Sequence, residues 1–133
     1  MRGSLKAYKQ VNVQAQASVA NPHKIVQMLL AGAIEKIACA ILAIEQQQLA
    51  KKGELLSRSM EIISHLEAAL DRSHGEELVD NLSAIYAYCI RRLAEASASN
   101  DRQLLEEVME LLKTIKSGWD EIPAEHHHLG QAI

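Results

Sequence analysis

The sequence predicts an all-α fold, an antiparallel up-down-up-down four-helix bundle preceded by an N-terminal arm. Three observations carry this. Four stretches of roughly 18–26 residues repeat apolar residues every three or four positions, the period of a helix with one buried face. Breaks of only a few residues separate them, and short links force consecutive helices antiparallel. Helix-start signals stand ahead of the first, third and fourth stretches. With 133 residues, the chain is long enough for one domain with a real core.

Residues 1–20 are polar with scattered apolar residues, and Leu5, Tyr8, Val11 and Val13 hold no period for long. They are expected to form an arm, with a short helix around Leu5–Gln10 at most. Asn21-Pro22 then starts the first helix: Asn caps exposed amides, and Pro suits the first turn. That helix is expected from about Pro22 to Gln47. From Ile25 to Ile44 only Gln27, Gly32, Glu35 and Lys36 are not apolar, more apolar surface than one bundle interface uses.

The QQQLAKKG stretch reads as a polar break. A second helix follows from about Ala50 to Arg72, with Leu56, Met60, Ile63, Leu66 and Leu70 as its stripe and Leu55, Ile62 and Ala69 on a neighbouring face. Ser73 with Glu76 fits a capping box. The third helix is expected from about Gly75 to Ser97, its stripe Leu78, Leu82, Ile85 or Tyr86, Cys89, Leu93 and Ala96. Asn100 with Gln103 suggests a further capping box. The fourth helix runs from about Asp101 to Trp119, with Leu104 or Leu105, Val108, Leu111 or Leu112, and Ile115 apolar, and Pro123 closes the pattern. The domain organisation is therefore arm 1–20, bundle 21–121 and disordered tail 122–133.

Apolar residues make up 48%, charged residues 23% and the net charge is −3, which excludes disorder across the whole chain. It also argues against non-specific nucleic-acid binding, which needs a dense basic surface. The first 24 residues carry Arg2, Lys6, Lys9 and Lys24 and no acid. They form either a solvated arm or one that docks on something acidic. Phe is absent, so the core must be Leu, Ile, Val, Ala and Met. Cys39 and Cys89 fall in apolar helical stretches and read as small buried hydrophobes in a reducing compartment. No hydrophobic leader is visible in residues 1–20. The Ile25–Ile44 run approaches membrane-spanning length, but Gln27, Glu35 and Lys36 inside it oppose a span. A cytoplasmic protein is expected.

No catalytic, metal or cofactor motif emerges. His126, His127 and His128 are consecutive, outside the bundle and without orienting partners. The Glu-x-x-His spacing of di-iron bundles occurs only from Glu125 to His128. A histidine phosphotransfer or signalling bundle is the competitor from another class. Glu67 beside His65 would repel a phosphate, however, and His23 stands at a helix start. Both histidines read better as solvent-facing or capping. Glu106, Glu107 and Glu110 read as a solvated face, and Arg91-Arg92 as structural ahead of partner binding. What remains is spare apolar surface: Ile25 and Leu29, then Leu55, Ile62, Val79 and Ile90 beside the main stripes. Two accounts stand, a wide bundle core and a groove that receives amphipathic helices from another chain.

Several segments occur together in a familiar order: Leu5-Lys-Ala-Tyr8, Ala20-Asn-Pro-His-Lys-Ile25, Met28-Leu-Leu-Ala-Gly-Ala33, Lys52-Gly-Glu54, Ile62-Ile63, Gly75-Glu76, Asn81-Leu82, Ile85-Tyr86-Ala-Tyr88, Ile90-Arg-Arg-Leu93, Asn100-Asp101 and Trp119. This order resembles the FliS family of flagellin export chaperones from about residue 5 to residue 121. The family often has Ser-Pro at Asn21-Pro22, an aromatic and Asp at Leu30-Ala31, a doubled Gly at His74-Gly75 and Tyr-Asp-Tyr at Tyr86-Ala87-Tyr88. The resemblance implies a cytoplasmic, non-enzymatic protein without cofactor. Its client would be the disordered C-terminal segment of flagellin, held in hydrophobic grooves until delivery to the flagellar type III export gate. Leu5 and Tyr8 match arm positions tied to capping and gate docking. Ile25, Leu29, Leu55, Ile62, Val79, Tyr86 and Ile90 are the candidate groove residues.

Overall fold

The structure is a computed structural model that describes residues 21–71 and 75–123. Four α-helices follow one another: α1 Pro22–Glu45, α2 Leu49–Ala68, α3 Glu76–Ser99 and α4 Arg102–Asp120. The arm and tail expectations, with Leu5, Tyr8 and His126–His128, lie outside the described residues, as does Ser73 of the expected capping box.

The helices form a ring. Each packs on its neighbours in sequence, and α1 closes the ring on α4. Paired positions run in opposite senses along adjacent helices. On α1 and α4, Trp119 Nε1 donates to the His23 carbonyl at 2.9 Å, while Glu45 meets Arg102 at 2.9 Å. On α2 and α3, Lys52 Nζ donates to the Ser97 carbonyl at 2.6 Å, and Ser83 Oγ to Glu67 at 2.8 Å. The up-down order thus follows from contacts as well as from link length. Along its buried stripe α1 turns Val26, Leu30, Ala33, Ile37, Ala40 and Ala43 inward. Its small residues let α2 approach closely, and Ser59 Oγ donates to the Ala33 carbonyl at 3.3 Å in the seam. The α1–α2 contact is the most extensive of the four.

Length and composition alone would let α1 cross a membrane, yet it stands in the bundle wall between α2 and α4. Only 33% of its most apolar window is buried, so the surplus noted in the sequence is real.

Several expectations need correction. The first break is only Gln46–Gln48, with Gln47 at φ 58°. The two lysines after it belong to α2, and Lys52 is buried because its stem lies along the bundle while its ammonium caps the C-terminal end of α3. Ser59, not Met60, takes the inner position on α2. Leu78 is 47% exposed and Val79 lies inside. Asn100 is the left-handed C-cap of α3 at φ 59°, and Asp101 is the N-cap of α4, accepting from the Gln103 amide at 2.9 Å. Where the sequence left pairs open, Tyr86, Leu105 and Leu112 are the buried members.

Cys89 is wholly buried, whereas Cys39 is only half-buried. Burial, with Glu107 adding, pushes the Cys89 thiol up from 9.0 to about 11. Burial, then Cys89, pushes Tyr86 up from 10.0 to about 12. Both folded values lie above the unfolded ones, so their contribution is complete below pH 9 and lost as pH rises through the folded values. Stability is expected to fall between pH 9 and 12, and a thiol reagent at pH 8 should label Cys39 first and Cys89 only on unfolding. Equal labelling rates, or a denaturant midpoint unchanged from pH 8 to pH 11, would contradict this account.

Candidate functional site

The surface of the ring differs from seam to seam. Polar ties cross the α1–α4 seam at both ends. Gln27 Nε2 donates to Asp120 at 2.7 Å and Arg102 pairs with Glu45 at 2.9 Å, while within α4 Lys116 also pairs with Asp120 at 2.7 Å. Lys116 first, then Gln27, hold the Asp120 carboxyl below its usual range. Across α3–α4, the Tyr88 hydroxyl donates to Glu107. The Arg92 guanidinium lies 5.0 Å from the Tyr88 ring centroid and pairs with Glu95 at 2.7 Å. Tyr88 first, then Glu95, raises Arg92 above its ordinary value, and these contacts fit the structural role expected for it.

The two seams that flank α2 carry apolar side chains toward solvent. On the α1 side, a Cβ added to Gly32 would lie 3.7 Å from Ile62 Cδ1, so Ile62 lies close against α1 where the glycine carries no side chain. Leu55 stands two turns before Ile62 on the same side of α2, and Ile25 and Leu29 share the side of α1 that carries Gly32. All four are half-buried. On the α3 side, the register set by Lys52–Ser97 and Glu67–Ser83 brings Met60 level with Ile90, both half-buried. The structure therefore separates the sequence candidates, with Ile25, Leu29, Leu55 and Ile62 along the α1–α2 seam and Ile90 along the α2–α3 seam.

Val79 and Tyr86 belong to neither groove surface, each being 1% exposed. Their positions fall on the inner face of α3, and they support the wall from within. The sequence reading missed Met28 and Leu42, which are 43% and 54% exposed on the outer face of α1. Their signal was the 4-3-4-3 spacing of Lys24, Met28, Ala31, Glu35, Ala38, Leu42 and Glu45, all exposed.

His65 faces solvent as expected, but His23 does not. His23 is 1% exposed and stacked on Trp119, with ring centroids 4.8 Å apart. It is a core residue and not a solvent-facing one. His65 is exposed on α2 beside Glu67. Among the described residues, no three or more His, Cys, Asp or Glu side chains come together to hold a metal. Half-buried apolar side chains thus line both seams of α2.

The family model described as flagellar protein FliS matches residues 4–126. A flagellar secretion chaperone FliS of Vibrio cholerae is 44% identical over 132 residues, covering 99% of this chain and 97% of that protein. FliSB of Pseudomonas aeruginosa, also named a flagellar secretion chaperone, is 47% identical over 119 residues, 90% of this chain and 94% of its own. The FliS of Salmonella typhimurium is 43% identical over 119 residues, 89% and 88% of the two chains.

Proposed function

The chain belongs to the FliS family of flagellar secretion chaperones, a family of chaperones and not of enzymes, and from that premise we propose that its client is the disordered C-terminal segment of flagellin. The segment docks as amphipathic helices in the two grooves beside α2. Ile25, Leu29, Leu55 and Ile62 receive one helix, and Met60 and Ile90 receive another. What supports this reading is the row of half-buried apolar side chains along each side of α2, with Ile62 lying against Gly32 in the first.

The physics suits a disordered client. A segment that folds on binding gives up chain entropy, and the burial of its apolar surface offsets that loss in free energy. While buried, that surface is withheld from filament contacts, so subunits do not polymerise early. The chaperone then hands the client to the export gate, with Leu5 and Tyr8 of the N-terminal arm taking part in capping and gate docking. Residues 21–121 form the binding body. These events precede export, which places the protein in the cytoplasm.

Calorimetric titration with a flagellin C-terminal peptide tests the reading. Binding is expected at about micromolar Kd or tighter, with a negative heat-capacity change from apolar burial. No heat and no change in tryptophan fluorescence with the peptide in large excess would remove flagellin from the proposal.

A further inference from the structure

Among the described residues, the lysines and arginines withdrawn from solvent are paired, with one exception. Lys52 is buried and its ammonium donates to the Ser97 carbonyl at 2.6 Å. Arg92 is half-buried and meets Glu95 at 2.7 Å. Lys116 is half-buried and meets Asp120 at 2.7 Å. Lys36 is half-buried as well, yet its ammonium makes no hydrogen bond or ion pair among these residues. It stands one turn beyond Gly32, on the side of α1 that also carries Ile25 and Leu29. The Ser59 bond to the Ala33 carbonyl sets the level of α2 here, and in the antiparallel pair it brings Lys36 level with Leu55. Further along the same side, a depression of about 110 Å³ opens between Cys39 and Leu42 of α1 and Gln48 and Lys51 of α2. Lys36 therefore interrupts the apolar row of the α1–α2 seam. Glu54, on α2 at this level, is held by Arg58 at 3.2 Å, and Glu35 is exposed on the outer face of α1.

Covering this seam changes the balance for Lys36. A half-buried ammonium keeps part of its water, whereas one shut under another helix without a partner carries a large desolvation cost. An occupant with only apolar and uncharged side chains at this point is disfavoured, and one that brings a carboxylate is favoured. We propose, resting on the reading that a flagellin segment docks as a helix along this seam, that Lys36 sets the register of that helix by pairing with an Asp or Glu on it. Lys36 lies one turn from Gly32, so the acid lies one turn, about three or four residues, from the apolar residue that packs at Gly32 and Ile62. Such a pair decides which stretch of an apolar-rich client seats here more than it adds affinity. Lys51, exposed at the end of the seam, extends the positive potential toward the α1–α2 turn, and the acid-bearing end of the client helix points that way.

Titration of the full chain with the flagellin C-terminal peptide, and with peptides in which each Asp or Glu is changed singly to its amide, tests this. One of those amides should weaken binding to the wild-type chain about tenfold, and binding to Lys36→Met less than about twofold. Lys36→Glu should weaken binding of the unaltered peptide by more than about tenfold, and changing the same peptide acid to Lys should restore it. Lys36→Met keeps an apolar stem and removes an unpaired charge. Its denaturant midpoint should therefore equal or exceed that of the wild type, whereas a purely structural lysine would lower it. Wild-type affinity in Lys36→Glu, or a peptide series in which no acid couples to residue 36, overturns the proposal and leaves flagellin in place as the client. A wild-type chain that binds no flagellin peptide removes the client and this inference together.

Discussion

Trp119→Ala should destabilise the bundle by about 3–5 kcal/mol, the range for removing a large buried aromatic side chain. Trp119 is 5% exposed. It stacks on His23 at an interplanar angle of 10°, and its indole N–H donates to the His23 carbonyl at 2.9 Å. These contacts fasten the last turn of α4 to the first turn of α1, where the ring closes without a covalent link. Trp119→Phe keeps an aromatic face and loses the donor, so it should cost less, with the lost hydrogen bond itself worth about 0.5–1.5 kcal/mol. Denaturant unfolding followed by circular dichroism separates the two variants. A loss below about 1 kcal/mol in Trp119→Ala would mean that the α1–α4 closure is not held here.

The same corner shows what a sequence conveys and what it hides. The periodic stripes of α2 and α4 were legible, because Leu56, Ile63 and Leu66, then Leu105, Val108 and Leu112, repeat at helical spacing and all are buried. His23 was not. A histidine after Pro22 at a helix start looks solvent-facing, and only the arrival of Trp119 from the far end of the chain buries it. Lys52 was hidden for a related reason: a hydrophobic pattern counts lysine as polar, although its stem can be buried while its ammonium reaches a carbonyl on another helix. Asn100 and Asp101 both suit a helix start by composition. The left-handed conformation of Asn100, which ends α3, decides between them.

For the grooves, the sequence showed that α1 and α2 carry spare apolar residues but not which way they point. Ile62 and Val79 look alike as secondary apolar positions. Ile62 is half-buried and Val79 is 1% exposed, because the buried stripe of α3 starts at Val79 rather than Leu78 while Cys89, Leu93 and Ala96 hold their expected places. Tyr86 goes inward with Val79, seven residues on. The Gly32–Ile62 contact and the Lys52–Ser97 and Glu67–Ser83 ties give the register that separates these positions.

Leu29→Asp should weaken binding of the flagellin peptide by about a hundredfold, or about 2.7 kcal/mol, as expected for a charge placed in a desolvated contact. Leu29 is half-buried, so the variant also loses some stability and must be assayed where circular dichroism shows it folded. Gly32→Ala separates the two effects. Its methyl group would meet Ile62 Cδ1 at 3.7 Å, an ordinary contact, and alanine in place of glycine inside a helix adds up to about 1 kcal/mol. The fold should therefore gain stability while the trough becomes shallower and the peptide binds several-fold more weakly. Loss of affinity in a protein that has become more stable cannot come from unfolding. Wild-type affinity in both Gly32→Ala and folded Leu29→Asp would move the client away from the α1–α2 groove, leaving the Met60–Ile90 groove as its seat.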